Sequence, residues 1–426
     1  MRFRLVLLIV SALTALVVPA TAEASRSIQY GLQDDAWLAY GPGSLDERLD
    51  RLDSLGVQIV RYTLRWDAIA PRQPANPRSH LDRAYRWGVN DAVLRGLRAR
   101  GIDAVVTLYG TPRWANGGQS PNWAPTSGAS TAGFAYAAAR RYSWVRRWLV
   151  WNEPNQRLHL RPTSPVAYVS KLLNPAYAAL KSANRRALVG GGITAPRGGT
   201  GGVSPVDWIR GMDRAGARLD AYAHNPYPLN PRHETPSGGG CMRCSTITMA
   251  TLERLQSEVA RAFGAKRIWL TEYGYQTNPP DRLLGVSHAL QARYLAEAAL
   301  RAYRAPRVDM LIQFLVRDEP VEARWQSGLV GIDGVVKPAY QAFMLPLAQA
   351  SGSGSRVVLW GQVRPRRGAQ TYRLQQLRGR TWVWIGGNAR TNGAGFYQRT
   401  VTATHGTKFR VWSPRDKTFS PVLAVR

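Results

Sequence analysis

Between Ser27 and Leu347 the chain alternates eight short apolar runs with helix-like segments, and that alternation leaves few folds open. The runs are Ile28–Leu32, Gln58–Leu64, Asp103–Leu108, Arg147–Trp151, Ala187–Gly191, Asp220–His224, Arg267–Thr271 and Met310–Phe314. Most are continuously apolar rather than alternating, as suits parallel strands buried on both faces. The segments between them carry helix ends. Ser44 can cap a helix whose Leu45, Leu49, Leu52 and Leu55 form one stripe, and Gly56 stops it. Asn90 begins another that ends at Gly101, and Ser164-Pro165 and Ser204-Pro205 place Pro at the first helical position after a cap. Ser287 opens a long helix that must end near Pro306. Eight strand–helix units predict an α/β fold of the (β/α)8 TIM-barrel kind over 27–347. The rival is an open doubly wound sheet, but no Gly-rich nucleotide fingerprint follows the first run.

The period then changes. Ser351-Gly352-Ser353-Gly354-Ser355 lies in a segment, 348–356, that reads as a flexible linker by composition. Beyond it, 357–426 holds short strand runs and the turn pairs Asn392-Gly393 and His405-Gly406, which predict a small all-β, immunoglobulin-like sandwich. Trp382 and Trp384 share one face of their strand; they either fill the sandwich core, the favoured reading, or form a sugar-stacking platform. A flexible linker further predicts a barrel that folds without the module.

Residues 1–24 have the pattern of a secretory signal peptide. Arg2 and Arg4 flank an apolar run from Leu5 to Val18, and Ala22-Glu23-Ala24 offers a small-x-small cleavage pattern. The alternative, an uncut membrane anchor, would need a longer run than this one. The expectation is a secreted, extracellular, monomeric protein with no stable membrane insertion after cleavage. In an oxidising compartment Cys241 and Cys244, the only two cysteines, read as a small-loop disulfide; a zinc site would need two more ligands, and only His233 lies close. The formal net charge of +30 raises the question of anionic partners, but the basic residues are spread along the whole chain and are almost all Arg. Nucleic-acid binding is therefore not expected as the main function. No metal-ligand cluster or phosphate loop appears, so no metal or cofactor is expected.

In a parallel barrel, reactive side chains collect at the carboxyl ends of the strands. Glu153 follows Arg147-Trp148-Leu149-Val150-Trp151-Asn152, and Glu272 follows Ile268-Trp269-Leu270-Thr271, placing them after strands four and seven. Carboxylates directly after buried apolar strands need a reason, and two facing one mouth need a shared one. Cleavage of a glycosidic bond uses such a pair: one carboxyl protonated to assist the leaving oxygen, another ionised to attack the anomeric carbon. A neighbouring carboxylate raises the acid's pKa, and the repulsion lifts once the nucleophile is glycosylated.

Trp151-Asn152-Glu153-Pro154-Asn155 resembles the acid/base motif of the clan A glycoside hydrolases, and a second glutamate stands where that clan has its nucleophile. The resemblance runs from about Ile28 to Phe343. Leu108-Tyr109-Gly110-Thr111-Pro112-Arg113-Trp114-Ala115 looks more like family 39 and its neighbours than family 5. The resemblance implies a barrel glycosidase that hydrolyses O-glycosyl bonds of a polysaccharide or oligosaccharide with retention, with Glu153 as acid/base and Glu272 as nucleophile. It further implies that Asn152 meets a sugar 2-hydroxyl, that Arg61 keeps the nucleophile ionised, and that His224 and Tyr227, from His-Asn-Pro-Tyr-Pro, stand beside it. Where many clan members carry a tryptophan platform at the end of strand eight, this chain has Gln313-Phe314-Leu315. Phe314, Trp66 and Trp114 are possible replacements, with core packing the competing role for the tryptophans. Asp318 and Glu319 read as substrate contacts or as solvated loop acids. Two other functions share these residues: a catalytically silent carbohydrate- or wall-binding barrel, and a transglycosylase. Retention of both glutamates argues against the first. Sugar, linkage and endo or exo action stay open.

Overall fold

A computed structural model describes residues 27–426 apart from 322–323, 353–354 and 366. Residues 1–24, expected from sequence to be a signal peptide, lie outside the described residues. Eight parallel strands close into a barrel in chain order: β1 (Gln29–Gln33), β2 (Ile59–Arg65), β3 (Asp103–Tyr109), β4 (Arg147–Val150), β5 (Leu188–Thr194), β6 (Ala221–His224), β7 (Arg267–Tyr273) and β8 (Val308–Phe314), with β8 pairing β1. Helices such as Leu45–Ser54, Gly88–Ala99 and His288–Arg304 cover the outside. Their ends follow local chemistry. Ser44 and Glu47 form a reciprocal capping box, and Ser204 and Ser287 each accept a first-turn N–H.

Inside the barrel, Ile59, Val105, Leu149, Ile193, Trp269, Met310 and Ile312 fill the lumen with Ala221 and Ala223. The large indole of Trp269 demands small neighbours, and a Cβ on Gly190 would lie 2.7 Å from its ring. The lumen is therefore solid, and anything reactive must sit at its carboxyl end.

After the barrel come two antiparallel sheets. One has order β13-β10-β9, from β9 (Leu347–Ser351), β10 (Arg356–Gln362) and β13 (Phe396–Thr402). The other has order β12-β11-β14-β15, from β11 (Thr371–Arg378), β12 (Thr381–Arg390), β14 (Lys408–Ser413) and β15 (Thr418–Phe419), with β16 (Leu423–Ala424) also on β14. Val357, Leu359, Tyr372, Leu374, Phe409 and Val411 belong to their shared core.

Two expectations change here. The segment 348–356 does not begin as a linker, because Leu347–Ser351 is a strand paired antiparallel with β10. Leu347, Ala348 and Ala350 are buried in it, a signal that the Ser and Gly further on obscure in composition. The sandwich also packs directly on the barrel. Trp360 and Phe396 are buried against Tyr303, with ring centroids at 5.4 and 4.7 Å, and belong to the same apolar cluster as the barrel's helices. Arg364 lies buried over the rings of Tyr30 and Phe343, and burial lowers its guanidinium to about 9. At Gly56 the backbone of Arg364 comes so close that a Cβ would meet it at 2.4 Å.

Trp382 and Trp384 do not fill the core either. Phe409 and Val411 already do, from the opposite face of the same sheet, and Trp384 is 40% exposed.

Candidate active site

The chain beyond β4 leaves strand geometry abruptly. Trp151 has φ 77° and Glu153 φ 42°, so two non-glycine residues out of three are left-handed. Each costs about 1–3 kcal/mol and persists only where the surroundings fix it. Here they do: Trp151 N donates to Leu108 O, and Glu153 N donates to Ile193 O at 2.9 Å. The turn aims Asn152 and Glu153 into the mouth from a short loop rather than a mobile one.

Glu272 lies within β7 and is 7% exposed. Arg61, 1% exposed on β2, donates to its Oε1 at 2.5 Å, to Thr271 O at 3.1 Å, and to Asn152 Oδ1 at 2.7 Å. Thr107 Oγ1 holds the guanidinium's Nε from β3. Tyr227 Oη donates to the other Glu272 oxygen at 3.2 Å. Burial dominates and leaves the Glu272 carboxyl above its ordinary value, with the Arg61 charge, its hydrogen bond and that of Tyr227 opposing the rise. Burial, then the Glu272 charge, pushes the Tyr227 hydroxyl well up, so it stays a donor.

Among the described residues Glu153 meets no cation at that distance. Asn225 Nδ2 donates to its Oε1 at 3.0 Å, with Thr271 Oγ1 donating to Asn225 Oδ1 in turn. His159 Nε2 stands 3.6 Å from its Oε2. Burial pulls the His159 ring down, and the Arg61 charge adds to it. Burial first, and the Glu272 charge second, raise the Glu153 carboxyl to about 7. The mouth thus holds two carboxyls with different partners: one bound to a guanidinium and a phenol, the other facing neutral groups. The first is suited to stay ionised, and the second to carry a proton near neutral pH.

Most of the expected residues meet here. Arg61, Asn152, Tyr227 and Glu272 form one hydrogen-bonded set and Glu153 with Asn225 a second, and Thr271 joins the two by accepting from Arg61 and donating to Asn225. Phe314 stands edge-on to Tyr227, ring centroids 6.3 Å apart. His224 does not join them. It is fully buried, with Nδ1 on Thr194 Oγ1 at 2.8 Å and Nε2 on Ile247 O at 3.0 Å, and burial lowers its pKa to about 4. A ring with both nitrogens occupied by protein has nothing left for a substrate; the next residue, Asn225, takes that place. Trp114 is likewise a packing residue, edge-on to buried Trp66 at 5.8 Å with its Nε1 on Ala70 O. Asp318 is neither solvated nor at the mouth, being buried with Lys337 Nζ at 2.7 Å.

Sequence reasoning missed three residues. Asn225 lay in the quoted His-Asn-Pro-Tyr-Pro segment but was passed over for its neighbour. His159, further along the same loop after β4, gave no signal; consecutive turns, with Gln156 N donating to Glu153 O and His159 N to Gln156 O, carry it back beside Glu153. Trp325, 37% exposed, comes from the loop after β8 and packs at 4.7 Å from Tyr227 and 5.6 Å, edge-on, from Phe314. It supplies the aromatic face that the end of β8 lacks. Glu319, read as a loop acid, accepts the Trp325 N–H at 2.9 Å and so holds that face. Cys241 and Cys244 are joined to each other, leaving no thiolate for a metal.

No protein-family profile matches the chain, and no curated protein matches it. Solved structures do match in fold. A glucosidase from Croceicoccus marinus is 15% identical with a TM-score of 0.61, over 91% of this chain and 95% of its own. The GH39 enzyme from Xanthomonas axonopodis pv. citri is 15% identical with a TM-score of 0.56, over 90% and 94%. An exo-β-1,4-mannosidase from Opitutaceae bacterium strain TAV5 is 19% identical with a TM-score of 0.51, over 74% and 58%. This chain therefore shares the fold of these glycosidases, over 91% and 90% of its length in the first two cases.

Proposed function

We propose that this protein is a secreted β-glycoside hydrolase that cleaves a polysaccharide or oligosaccharide with retention. The observation that carries the reading is the unequal pair: Glu272 held by Arg61 and Tyr227, Glu153 raised to about 7 beside Asn225 and His159. The fold shared with a glucosidase and a mannosidase supports it.

In the first step an oxygen of Glu272 bonds to the anomeric carbon as the bond to the leaving oxygen breaks. The Glu153 proton goes to that oxygen. Asn152 Oδ1 accepts from Arg61, which leaves its Nδ2 to meet the sugar 2-hydroxyl, a contact that strengthens in the transition state. Esterification removes the Glu272 charge, the Glu153 pKa falls, and Glu153 becomes the base that takes a proton from water. That water's oxygen bonds to the anomeric carbon and Glu272 departs as carboxylate. Two inversions give net retention.

The test is Glu153→Ala with a dinitrophenyl β-glycoside. This leaving group needs little protonation, so Glu272 should be glycosylated and the intermediate should persist without a base. Added azide should restore turnover and give the β-glycosyl azide. An α-azide would point to inversion, and equal losses on good and poor leaving groups without rescue would give Glu153 a structural role.

A further inference from the structure

Sheet β12-β11-β14-β15 buries one face and leaves the other open, and the open face is aromatic. Tyr372, Leu374, Phe409 and Val411 point into the core. The alternate positions carry Trp384, Trp382, Trp412 and Phe419 together with Arg373 and Arg410. They lie in cross-strand register: Trp384 and Arg410 both oppose Gln375, while Arg373 and Phe419 both oppose Trp412. The outer face of a solvated antiparallel sheet is ordinarily polar, so an aromatic one calls for a ligand.

The arginines identify the kind of ligand. Arg373 lies 3.8 Å over the Trp384 ring, and Arg410 lies 3.8 Å over Phe419 and 4.3 Å over Trp382. Arg410 Nε donates only to neutral Gln375 at 2.8 Å, and Arg373 Nε has no hydrogen-bond partner among the described residues. Neither forms an ion pair within the described chain. A guanidinium held over an aromatic ring keeps its terminal N–H groups for a carboxylate and loses little entropy when one docks there. The exposed ring of Trp384 and the half-buried ring of Trp412 beside it suit the C–H face of a sugar ring. Trp382 and Trp384 are two residues apart along β12, roughly 6.6 Å, and neighbouring strands are about 4.8 Å apart, so the face accommodates an extended chain rather than one monosaccharide.

We infer that this outer face binds an acidic polysaccharide, uronate-bearing, and keeps the polymer near the barrel. The choice of a sugar polymer over another polyanion rests on the reading of the barrel as a glycosidase. Binding is tested with full-length chain carrying Glu272→Gln, so that the polymer survives, by affinity electrophoresis through polygalacturonate, neutral xylan and single-stranded DNA. Polygalacturonate should retard the chain at least about tenfold more strongly than xylan, and rising salt should weaken it. Trp384→Ala and the pair Arg373→Gln/Arg410→Gln should each lose about tenfold in affinity, with melting temperatures near that of the parent. In a chain with Glu272 intact, neither change should alter turnover of small aryl glycosides. Retention unchanged in both variants, preference for xylan, or tighter binding of DNA would overturn the proposal. Polygalacturonate binding with no hydrolysis of any glycoside would uphold this face while removing the barrel assignment; hydrolysis without such binding would do the reverse.

Discussion

Glu153 and Glu272 have the same side chain, and only their neighbours give them different tasks. An arginine at 2.5 Å and a tyrosine at 3.2 Å hold Glu272, whereas Glu153 is buried beside an amide and a neutral imidazole. The second environment carries a stability cost with a definite pH sign. Glu153 titrates near 7 in the folded chain against an ordinary 4.5, so between those values the folded state holds a proton that the unfolded chain has released. Its contribution is intact below pH 4.5 and is lost as pH rises through about 7. Glu153→Gln should therefore gain stability at pH 8, on the order of 2 kcal/mol, and gain little at pH 4. Melting curves at the two pH values check this; an equal effect at both would mean the carboxyl is not raised. The same carboxyl should make wild-type hydrolysis of poor leaving groups decline above about pH 7, as the acid is lost.

Among the elements, strand ends and one loop form the site. Glu153 and Glu272 were legible because each follows a buried apolar strand, where a charge has no structural reason to stand. His224 and Asn225 were not separable in that way. Adjacent residues at a strand end point to opposite sides, and an apolar run gives the alternation without saying which parity faces the mouth. Here His224 turns into the protein and Asn225 towards Glu153. The contact of the Trp325 loop was hidden for another reason: it joins Trp325 to Tyr227, residues far apart in sequence, and only the places of β6 and β8 on either side of β7 bring the loops after them together. Trp325→Ala should raise KM for an oligosaccharide about five- to tenfold, as expected for one aromatic face worth about 1 kcal/mol, while the melting temperature stays within a few degrees. Initial rates and a thermal melt measure both; unchanged KM would remove Trp325 from the substrate surface.

For the whole molecule, barrel and sandwich share one continuous apolar contact through Tyr303, Trp360 and Phe396. A chain ended at Pro346 should lose solubility or melt well below the full chain, because it uncovers aromatics that contribute about 1.5–3 kcal/mol each when buried. Soluble yield and calorimetry decide the matter; a truncated barrel as stable as the full chain would make the contact dispensable. Among the described residues no helix is long and apolar enough to cross a membrane.

What the sequence determined by itself was whatever depends on local order. The eight apolar runs, the serine caps at Ser44, Ser204 and Ser287, and two glutamates following buried strands are properties of neighbouring residues, and a one-dimensional string contains them. What the tertiary structure decided was which distant groups meet. It gave Arg61 to Glu272, Asn225 to Glu153, Trp325 to Tyr227, and the sandwich to the barrel wall. The reason is physical: a side chain's pKa, exposure and partners follow from what packs within a few ångströms of it. In a closed barrel those neighbours come from strands separated by scores of residues, from which the local pattern carries no signal.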